Sequence, residues 1–305
     1  MIILDTLKAL VYTAVFSLLA TPLDFRLARA IGAIDIPKDG RRMHSRPIPR
    51  IGGISVFVSF AVFSFIFCEG NAPELISLLA GAILIVVLGI VDDCMSLPAI
   101  PKLTAQFTAA IFSVTVLILY GEVVSPITVA LAVLWLLTLT NAHNFIDGLD
   151  GLCVGVSLVE ATALGVLLLI RGSVPLGLAA FVLGGACIGF FPFNASNAKI
   201  FMGDTGATFL GFALGFLSIE LLRLDPDFRT FLAIGLIFFI PLADISFAVT
   251  RRISRGKSPF APDRSHIHHL LADGRLGHKG ASVLIRLASL SFAAIGMLIY
   301  VLARS

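Results

Sequence analysis

Apolar stretches of membrane-spanning length recur from one end of the 305-residue chain to the other. A helix needs about 20 mainly apolar residues to cross the hydrocarbon core of a bilayer. The runs are continuous and do not alternate with polar residues as the strands of a membrane barrel require. The predicted fold class is therefore all-α, a polytopic integral membrane bundle of about 10 transmembrane helices. The stretches lie at about 2–22, 51–68, 74–91, 103–120, 126–140, 152–170, 174–191, 205–222, 230–248 and 280–302.

The composition excludes a water-soluble protein. Only 13% of the residues are charged, whereas an ordinary soluble domain carries about 25%. The net charge of +3 gives no large basic surface, so we expect no nucleic-acid partner. The first apolar stretch lacks the basic segment and the cleavage pattern of a signal peptide, and we predict that it is a membrane helix. We expect residues 1–305 to form a single integral membrane domain.

Lysine and arginine are concentrated in alternate connections. The connections after the first, third, fifth, seventh and ninth stretches hold 16 of the 22 Lys and Arg residues. Because positively charged connections face the cytoplasm, these five are predicted to be cytoplasmic. They also hold nearly every cluster of Asp, Asn and His. The sequence thus predicts one composite active site on the cytoplasmic face of the membrane.

Asp92 and Asp93 directly follow an apolar run, at the mouth of a predicted helix. A carboxylate within a bilayer is costly and usually functional. At the membrane boundary most of that cost disappears, so a solvated helix end is an equally open interpretation.

Residues 141–152 hold the most specific polar pattern. Asn141, Asn144, Asp147 and Asp150 recur every three residues, which on a helix gives one polar stripe. Amides can hydrogen-bond uracil or ribose, and carboxylates can bind ribose hydroxyls or Mg²⁺. A nucleotide-sugar site is favoured over the alternative, a polar helix end.

Asp204 lies at the start of an apolar helix, where exposed backbone N–H groups favour anions. Magnesium prefers one or two carboxylates together with phosphate oxygens and water, and Asp204 fits that role. Phe201 is placed to stack on a base or to pack in the core.

Three histidines, His266, His268 and His269, follow Arg264. Their spacing differs from the usual zinc pattern, and no cysteine completes a zinc set. Arginine beside histidines instead suits a diphosphate group.

The basic segment 38–50 ends in Arg50 and is followed by Gly52 and Gly53. It could anchor anionic lipid headgroups, whereas the glycine pair could approach a substrate. Glu160 lies nearer the middle of a span, and we expect it to have a buried hydrogen-bond partner.

Five ordered motifs between residues 35 and 269 carry a family resemblance. The chain resembles the polyprenyl-phosphate N-acetylhexosamine-1-phosphate transferases, most closely the bacterial branch that starts O-antigen, common-antigen or teichoic-acid linkage units with GlcNAc-1-phosphate. The motifs are the basic segment ending in Gly52 and Gly53, the pair Asp92 and Asp93, the Asn/Asp pattern of 141–152, Phe-Met-Gly-Asp at 201–204, and His-Ile-His-His at 266–269.

The resemblance implies a reaction at the bacterial cytoplasmic membrane. Undecaprenyl phosphate attacks the β-phosphorus of a UDP-sugar, and UMP leaves. The expected UDP-sugar is UDP-GlcNAc. Mg²⁺ is the expected cofactor, with Mn²⁺ as a substitute. Membrane lipids surround the protein, and a homodimer is one option for its assembly.

The resemblance also implies roles for the motif residues. Asp92 and Asp93 would be catalytic at the lipid phosphate, and Asp204 with Asn144 would bind the metal. The groups that would hold the nucleotide sugar are Asn141, Asp147, Asp150, Phe201, Arg264, His266, His268 and His269. Arg50, Gly52 and Gly53 would contact substrate or lipid phosphate.

Three alternatives stay open. A phospho-MurNAc-pentapeptide transferase of peptidoglycan synthesis typically has three consecutive histidines, whereas His266 and His268 flank an isoleucine here. The same chemistry could use another UDP-HexNAc, such as one carrying GalNAc, QuiNAc or FucNAc. A divalent-cation transporter would place its acidic groups near the middle of the bilayer.

Overall fold

The fold was analysed in a computed structural model that describes residues 2–36, 46–68, 72–120, 125–256, 258, 267–272, 274 and 276–302. Twelve helices and one two-stranded hairpin occupy these ranges. The hairpin pairs β1 (Ile34–Asp35) with β2 (Ile48–Pro49) in antiparallel register. The helices are α1 (Ile2–Ile31), α2 (Gly53–Phe67), α3 (Pro73–Met95), α4 (Ala99–Leu119), α5 (Pro126–Ile146), α6 (Leu152–Ile170), α7 (Val174–Asn194), α8 (Gly203–Leu224), α9 (Phe228–Ile237), α10 (Phe239–Ser254), α11 (Ile267–Ala272) and α12 (Gly277–Leu302).

The predicted all-α membrane bundle is confirmed. Among the described residues, eight helices (α1, α3 to α8 and α12) are long and apolar enough to cross a membrane. Every one of the ten predicted stretches contains a helix, but two of them differ from a simple span. Helix α2 has 15 residues, and at 1.5 Å per residue it is shorter than the roughly 30 Å hydrocarbon core.

The ninth predicted span is broken into two helices. Helices α9 and α10 meet at Phe238 with a bend of 76°. Pro241 lies in the first turn of α10, where its missing N–H is tolerated, but it could not continue a helix that began in α9. The described ranges therefore contain eight long spans, or nine if the bent pair crosses as one unit.

Helices α7 and α8 form the centre of the bundle. In their most apolar windows 72% and 78% of the residues are buried, against 17% for α1 and 28% for α12. Helix α1 packs along α7, and Ser17 Oγ donates a hydrogen bond of 2.8 Å to the carbonyl of Ala186. The outer helices thus support a central pair whose ends carry the polar motifs.

The polar motifs meet at one end of the bundle, which we call the site end. Here α3, α5 and α7 end, α4, α6 and α8 begin, and Asp92, Asp147 and Asp204 lie. The backbone of Gly203 has φ +70°, and a Cβ at this position would lie 1.6 Å from the carbonyl oxygen of Arg50, so only glycine can begin α8 in this way.

Gly52 and Gly53 join the basic segment to the start of α8. Their N–H groups donate to the carbonyls of Phe201 and Met202 at 3.0 and 3.1 Å. Both glycines are buried, and a Cβ on Gly53 would lie 2.2 Å from the backbone of Gly206. The structure therefore gives them a packing role and does not place them on the wall of the cavity at the site end; their predicted contact with substrate or lipid phosphate stays a prediction.

Candidate active site

A cavity of about 1130 Å³ opens at the site end. Its walls also include cationic or titratable side chains that the sequence did not single out, among them Arg46, Lys199 and His278. Such a volume exceeds the 300–1,000 Å³ or so of a typical small-molecule site. Six of the predicted site residues line it, namely Arg50, Asn144, Asp147, Asp150, Phe201 and Asp204.

Three carboxylates and two cations form a connected cluster beside the cavity. Lys102 Nζ donates to Asp92 Oδ2 at 2.7 Å and also donates to Asp204 Oδ2. Arg50 approaches from the other side, with Nε 3.6 Å from Asp93 Oδ1 and Nη2 4.0 Å from Asp204 Oδ1. One negative charge remains in excess, so the cluster can accept a further cation.

Asp93 is the helix cap that fixes the start of α8. Its carboxylate accepts hydrogen bonds from the N–H groups of Asp204 and Thr205 at 3.0 and 2.9 Å, and from Thr205 Oγ1 at 2.7 Å. An anion is stabilised there by the unpaired N–H groups of the first turn. The Asp93 side chain is fully buried. We therefore interpret it as positioning Asp204; its predicted catalytic contact with the lipid phosphate stays a prediction.

Asp92 faces a different set of groups from its neighbour. Its Oδ1 accepts a hydrogen bond of 2.6 Å from the N–H of Leu97, and its Oδ2 accepts from Lys102. The first bond closes the turn between α3 and α4. The second brings Asp92 into contact with the same ammonium group that holds Asp204.

Lys102 is the site residue that sequence reasoning missed. It lies in the first turn of α4 and bridges Asp92 to Asp204. Two of its three ammonium hydrogens are thereby engaged. The signal in the sequence was its isolation: it is the one Lys or Arg in residues 92–102. A single basic residue in this connection was too weak a signal to be interpreted without the fold.

Asp147 lies at the C-terminus of α5, on the cavity wall. Burial raises its pKa well above the usual value, and the nearby charge of Asp93 raises the pKa further, whereas Arg50 and a hydrogen bond with the backbone of Gly203 lower it. Burial therefore favours the protonated form of this carboxyl, which can donate as well as accept a hydrogen bond.

Asp150 and Asn194 brace the loops around the cavity. Asp150 Oδ2 accepts from the N–H of Ala198 at 2.9 Å. Asn194 accepts from the N–H of Gly151 at 3.1 Å and donates to the carbonyl of Ile200 at 3.0 Å. Residues 195–202 are therefore held in place by two side chains of residues that also line the cavity.

The two predicted amides differ in position. Asn141 does not line the cavity; its Nδ2 donates to Gln106 Oε1 and to the carbonyl of Leu137, each at 2.8 Å. Asn144 lies one turn nearer the site end and lines the cavity. Its Nδ2 has no hydrogen-bond partner among the described residues. Of the two predicted amides, Asn144 is therefore the one that lies at the cavity.

Arg264 and His266 lie outside the described residues. His268 and His269 belong to α11, but their side chains lie outside the described part of the chain as well. Helix α11 packs against α12, whose second residue, His278, lines the cavity. The predicted roles of the histidine motif stay predictions.

The expected buried partner of Glu160 is confirmed. Glu160 Oε2 lies 2.7 Å from His143 Nε2, and both side chains are fully buried. The other ring nitrogen, His143 Nδ1, lies 2.9 Å from the carbonyl oxygen of Leu139. The pair joins α5 to α6 below Asn144.

The residues at the cavity fit a hydrated divalent cation better than a fully protein-bound metal. Among the described residues, no three His, Cys, Asp or Glu side chains form a metal-binding group. Magnesium usually takes one or two protein ligands and completes its shell with water and phosphate oxygens. Asp204 and Asn144, both on the cavity wall, match that requirement.

The fold and the site together define a polytopic membrane protein with a charged cavity at one end of its bundle. Residues 75–222 match the sequence profile of Glycosyl transferase family 4. The chain is 35% identical over 292 residues to a probable undecaprenyl-phosphate N-acetylglucosaminyl 1-phosphate transferase of Bacillus subtilis (strain 168), covering 90% of this chain and 80% of the relative.

Two further relatives agree. A decaprenyl-phosphate N-acetylglucosaminephosphotransferase of Mycobacterium tuberculosis (strain ATCC 25618 / H37Rv) is 34% identical over 306 residues, or 85% of this chain and 73% of the relative. The undecaprenyl-phosphate alpha-N-acetylglucosaminyl 1-phosphate transferase of Escherichia coli (strain K12) is 30% identical over 313 residues, or 96% and 83%. The chain belongs to the polyprenyl-phosphate N-acetylhexosamine-1-phosphate transferase family, as its motifs predicted.

Proposed function

We propose that the protein transfers GlcNAc-1-phosphate from UDP-GlcNAc to undecaprenyl phosphate and releases UMP, at the cytoplasmic face of the bacterial membrane. The names of the relatives support the sugar phosphate and the polyprenyl acceptor. The observation that carries the proposal is the Asp92–Lys102–Asp204 cluster beside a cavity large enough for a nucleotide sugar. The excess of basic residues in the connections at this end supports a cytoplasmic orientation.

The reaction is a displacement at phosphorus. An oxygen of the lipid phosphate forms a bond to the β-phosphorus of UDP-GlcNAc, and the bond from that phosphorus to the bridging oxygen breaks. UMP leaves with the electron pair on its phosphate oxygen. Because the attacking oxygen is already anionic near neutral pH, the step requires no strong base. Catalysis of such a transfer rests on positioning and on neutralising charge.

The residues of the cluster supply both effects. Lys102 and Arg50 place positive charge where two anionic substrates must approach one another. Asp93 holds the N-terminus of α8 and thereby fixes Asp204. Asp204 and Asn144 would hold Mg²⁺, which when bound would neutralise the diphosphate and polarise its phosphorus.

The nucleoside end would lie along the other wall of the cavity. Phe201 would stack on uracil, and Asp147 would hydrogen-bond the nucleoside with a carboxyl that can donate or accept. Asp150 would act mainly through the loop that it holds at Ala198. Lys199 and His278 also line the cavity and would lie close to the diphosphate or the sugar.

One assay tests this function and separates its alternatives. Purified protein receives undecaprenyl phosphate, Mg²⁺ and a panel of UDP-sugars, and UMP release is measured. We expect release with UDP-GlcNAc, and at least a 100-fold loss in the Asp204→Asn variant, since a charge-stabilising group is removed. Asp5→Asn, at a half-exposed carboxylate in the first turn of α1, is the matched control and should retain activity.

Each outcome that contradicts the expected result would reject a different part of the proposed function. No UMP with any sugar would refute the transferase. Release only with UDP-MurNAc-pentapeptide, or only with another UDP-HexNAc, would move the protein to that substrate. Normal turnover by Asp204→Asn would refute the proposed metal position while leaving the reaction class intact.

A further inference from the structure

A second, shallower groove lies on the outer surface of the bundle, between α6, α7 and α12. It measures about 490 Å³, and its walls are apolar. Gly155, Phe191 and Arg286 contribute one side of it, and branched aliphatic side chains form the rest. The groove is separate from the catalytic cavity, since the two share no lining residue.

Arg286 is the unusual member of this groove, because it is a cation within a membrane-spanning helix. Its guanidinium carbon lies 5.2 Å from the centre of the Phe191 ring. Its Nε donates to the carbonyl of Ser282 at 3.2 Å. The aliphatic stem lies over Gly155, where the position of a Cβ would be 2.3 Å from Arg286 Cδ. No ion pair joins it to a carboxylate in the described part of the chain, and its two Nη atoms therefore lack an anionic partner.

The depth of Arg286 in the membrane can be inferred from Ser282, which lies one helical turn away on α12. Ser282 Oγ donates to the carbonyl of Asp150, in the loop that carries the motif at the site end. One turn of helix is about 5.4 Å, so the guanidinium lies just inside the membrane surface on that side. Arginine at this depth directs its charged head towards the interface. A guanidinium at this depth can reach the phosphate groups of the same leaflet.

We propose that this groove binds one anionic phospholipid of the site-end leaflet, with its phosphate on Arg286 and an acyl chain along Leu158, Leu287 and Leu290. The planar guanidinium suits a phosphate because two N–H groups can bind two oxygens at once. The apolar walls suit a chain and would not hold a soluble anion. The proposal does not depend on the transferase activity, because lipid binding can be measured without turnover.

The bound lipid would also stabilise the loops of the catalytic cavity. Phe191, under the guanidinium, lies in the last turn of α7, and its ring is 3.5 Å from the Cβ position of Gly151. Gly151 in turn bonds to Asn194 and follows Asp150. A lipid that fixes Arg286 on Phe191 therefore fixes the junction of two cavity loops.

Native mass spectrometry of detergent-purified, delipidated protein tests the site. The probes are dioleoyl phosphatidylglycerol and, as a neutral lipid with the same chains, dioleoyl phosphatidylcholine. We expect one tightly retained phosphatidylglycerol and no matching retention of phosphatidylcholine. Arg286→Gln should weaken phosphatidylglycerol binding about tenfold, the loss expected for one charge-assisted contact. Arg29→Gln removes an exposed arginine at the same end of the bundle and should bind as the parent protein does.

A second variant keeps the test independent of the folding of Arg286→Gln. Leu287→Trp fills the groove from its exposed rim and should reduce phosphatidylglycerol retention with Arg286 intact. Equal retention of the two lipids by the parent protein would overturn the proposal, as would unchanged binding in both variants. Displacement of the phosphatidylglycerol by an equimolar amount of undecaprenyl phosphate would also overturn it, because the groove would then be a site for the polyprenyl lipid.

Discussion

The buried His143–Glu160 pair permits a sharp prediction about where its proton lies. The carbonyl oxygen of Leu139 can only accept, so His143 Nδ1 carries a hydrogen. At 2.7 Å, Nε2 and Glu160 Oε2 must also share a hydrogen, since two lone pairs would repel. The pair therefore holds one bridging proton and is neutral overall, which suits a fully buried position between α5 and α6.

This proton count predicts that Glu160→Gln is tolerated and Glu160→Leu is not. The amide N–H of glutamine can donate to Nε2 in place of the bridging proton, and we expect a cost below about 1 kcal/mol. Leucine leaves Nε2 buried without a partner, which costs about 1–3 kcal/mol. At about 2 °C per kcal/mol for a chain of this size, Tm should fall by about 2–6 °C.

The buried thiols of Cys68, Cys153 and Cys187 provide the readout. A thiol-reactive dye becomes fluorescent as unfolding exposes them, and the midpoint is compared among the parent, Glu160→Gln and Glu160→Leu. Asp5→Asn, at a half-exposed carboxylate, should change Tm little. If glutamine lowered Tm as much as leucine, the bridging-proton account would be wrong.

Three further predictions concern the cavity and its orientation. Asp147→Asn should raise Tm at pH 8 and weaken binding of UDP-GlcNAc. Because folding raises the pKa of Asp147, the parent protein loses stability as pH rises above the unfolded pKa of about 3.9, so the gain in Tm of the variant over the parent should vanish towards pH 4. A gain in Tm that stayed constant with pH would contradict the raised pKa. Lys102→Ala should lower turnover by about 100-fold or more, whereas Lys8→Ala, at a half-exposed lysine of α1, should not; equal effects would refute the cluster's role. Cys94, the one exposed cysteine, should react with a membrane-impermeant maleimide in inside-out vesicles and not in intact cells, and the reverse pattern would invert the proposed topology.

The apolar pattern predicted where helices occur better than where they end. Helix α1 runs to Ile31, although the apolar run stops near residue 22. The extra turns carry Asp24, Arg26 and Arg29, and a helix outside the hydrocarbon core can continue with such residues because its backbone bonds are internal. The bend at Phe238 could not be predicted from the apolar pattern either, because hydropathy is averaged over a window and carries no information on helix direction.

The site residues were predictable as a group but not in their separate roles. Because carboxylates cluster in alternate connections, the sequence predicted that Asp92, Asp147 and Asp204 lie at one end of the bundle. The division of tasks between Asp92 and Asp93 was not readable, because it depends on which carboxylate faces the N-terminus of α8. Lys102 was missed for a similar reason: its contact with Asp204 spans 102 positions of the chain.

The most direct test of the transferase uses UDP-GlcNAc labelled with ³²P in the β-phosphate and ³H in the sugar. Purified protein is supplied with undecaprenyl phosphate and Mg²⁺, and the lipid and aqueous fractions are separated. Transfer of the sugar phosphate predicts both labels together in the lipid, in equal molar amounts, with unlabelled UMP in water, and neither label in the lipid for Asp204→Asn. Tritium in the lipid with ³²P left behind in UDP would show transfer of the sugar alone, and it would contradict the central claim.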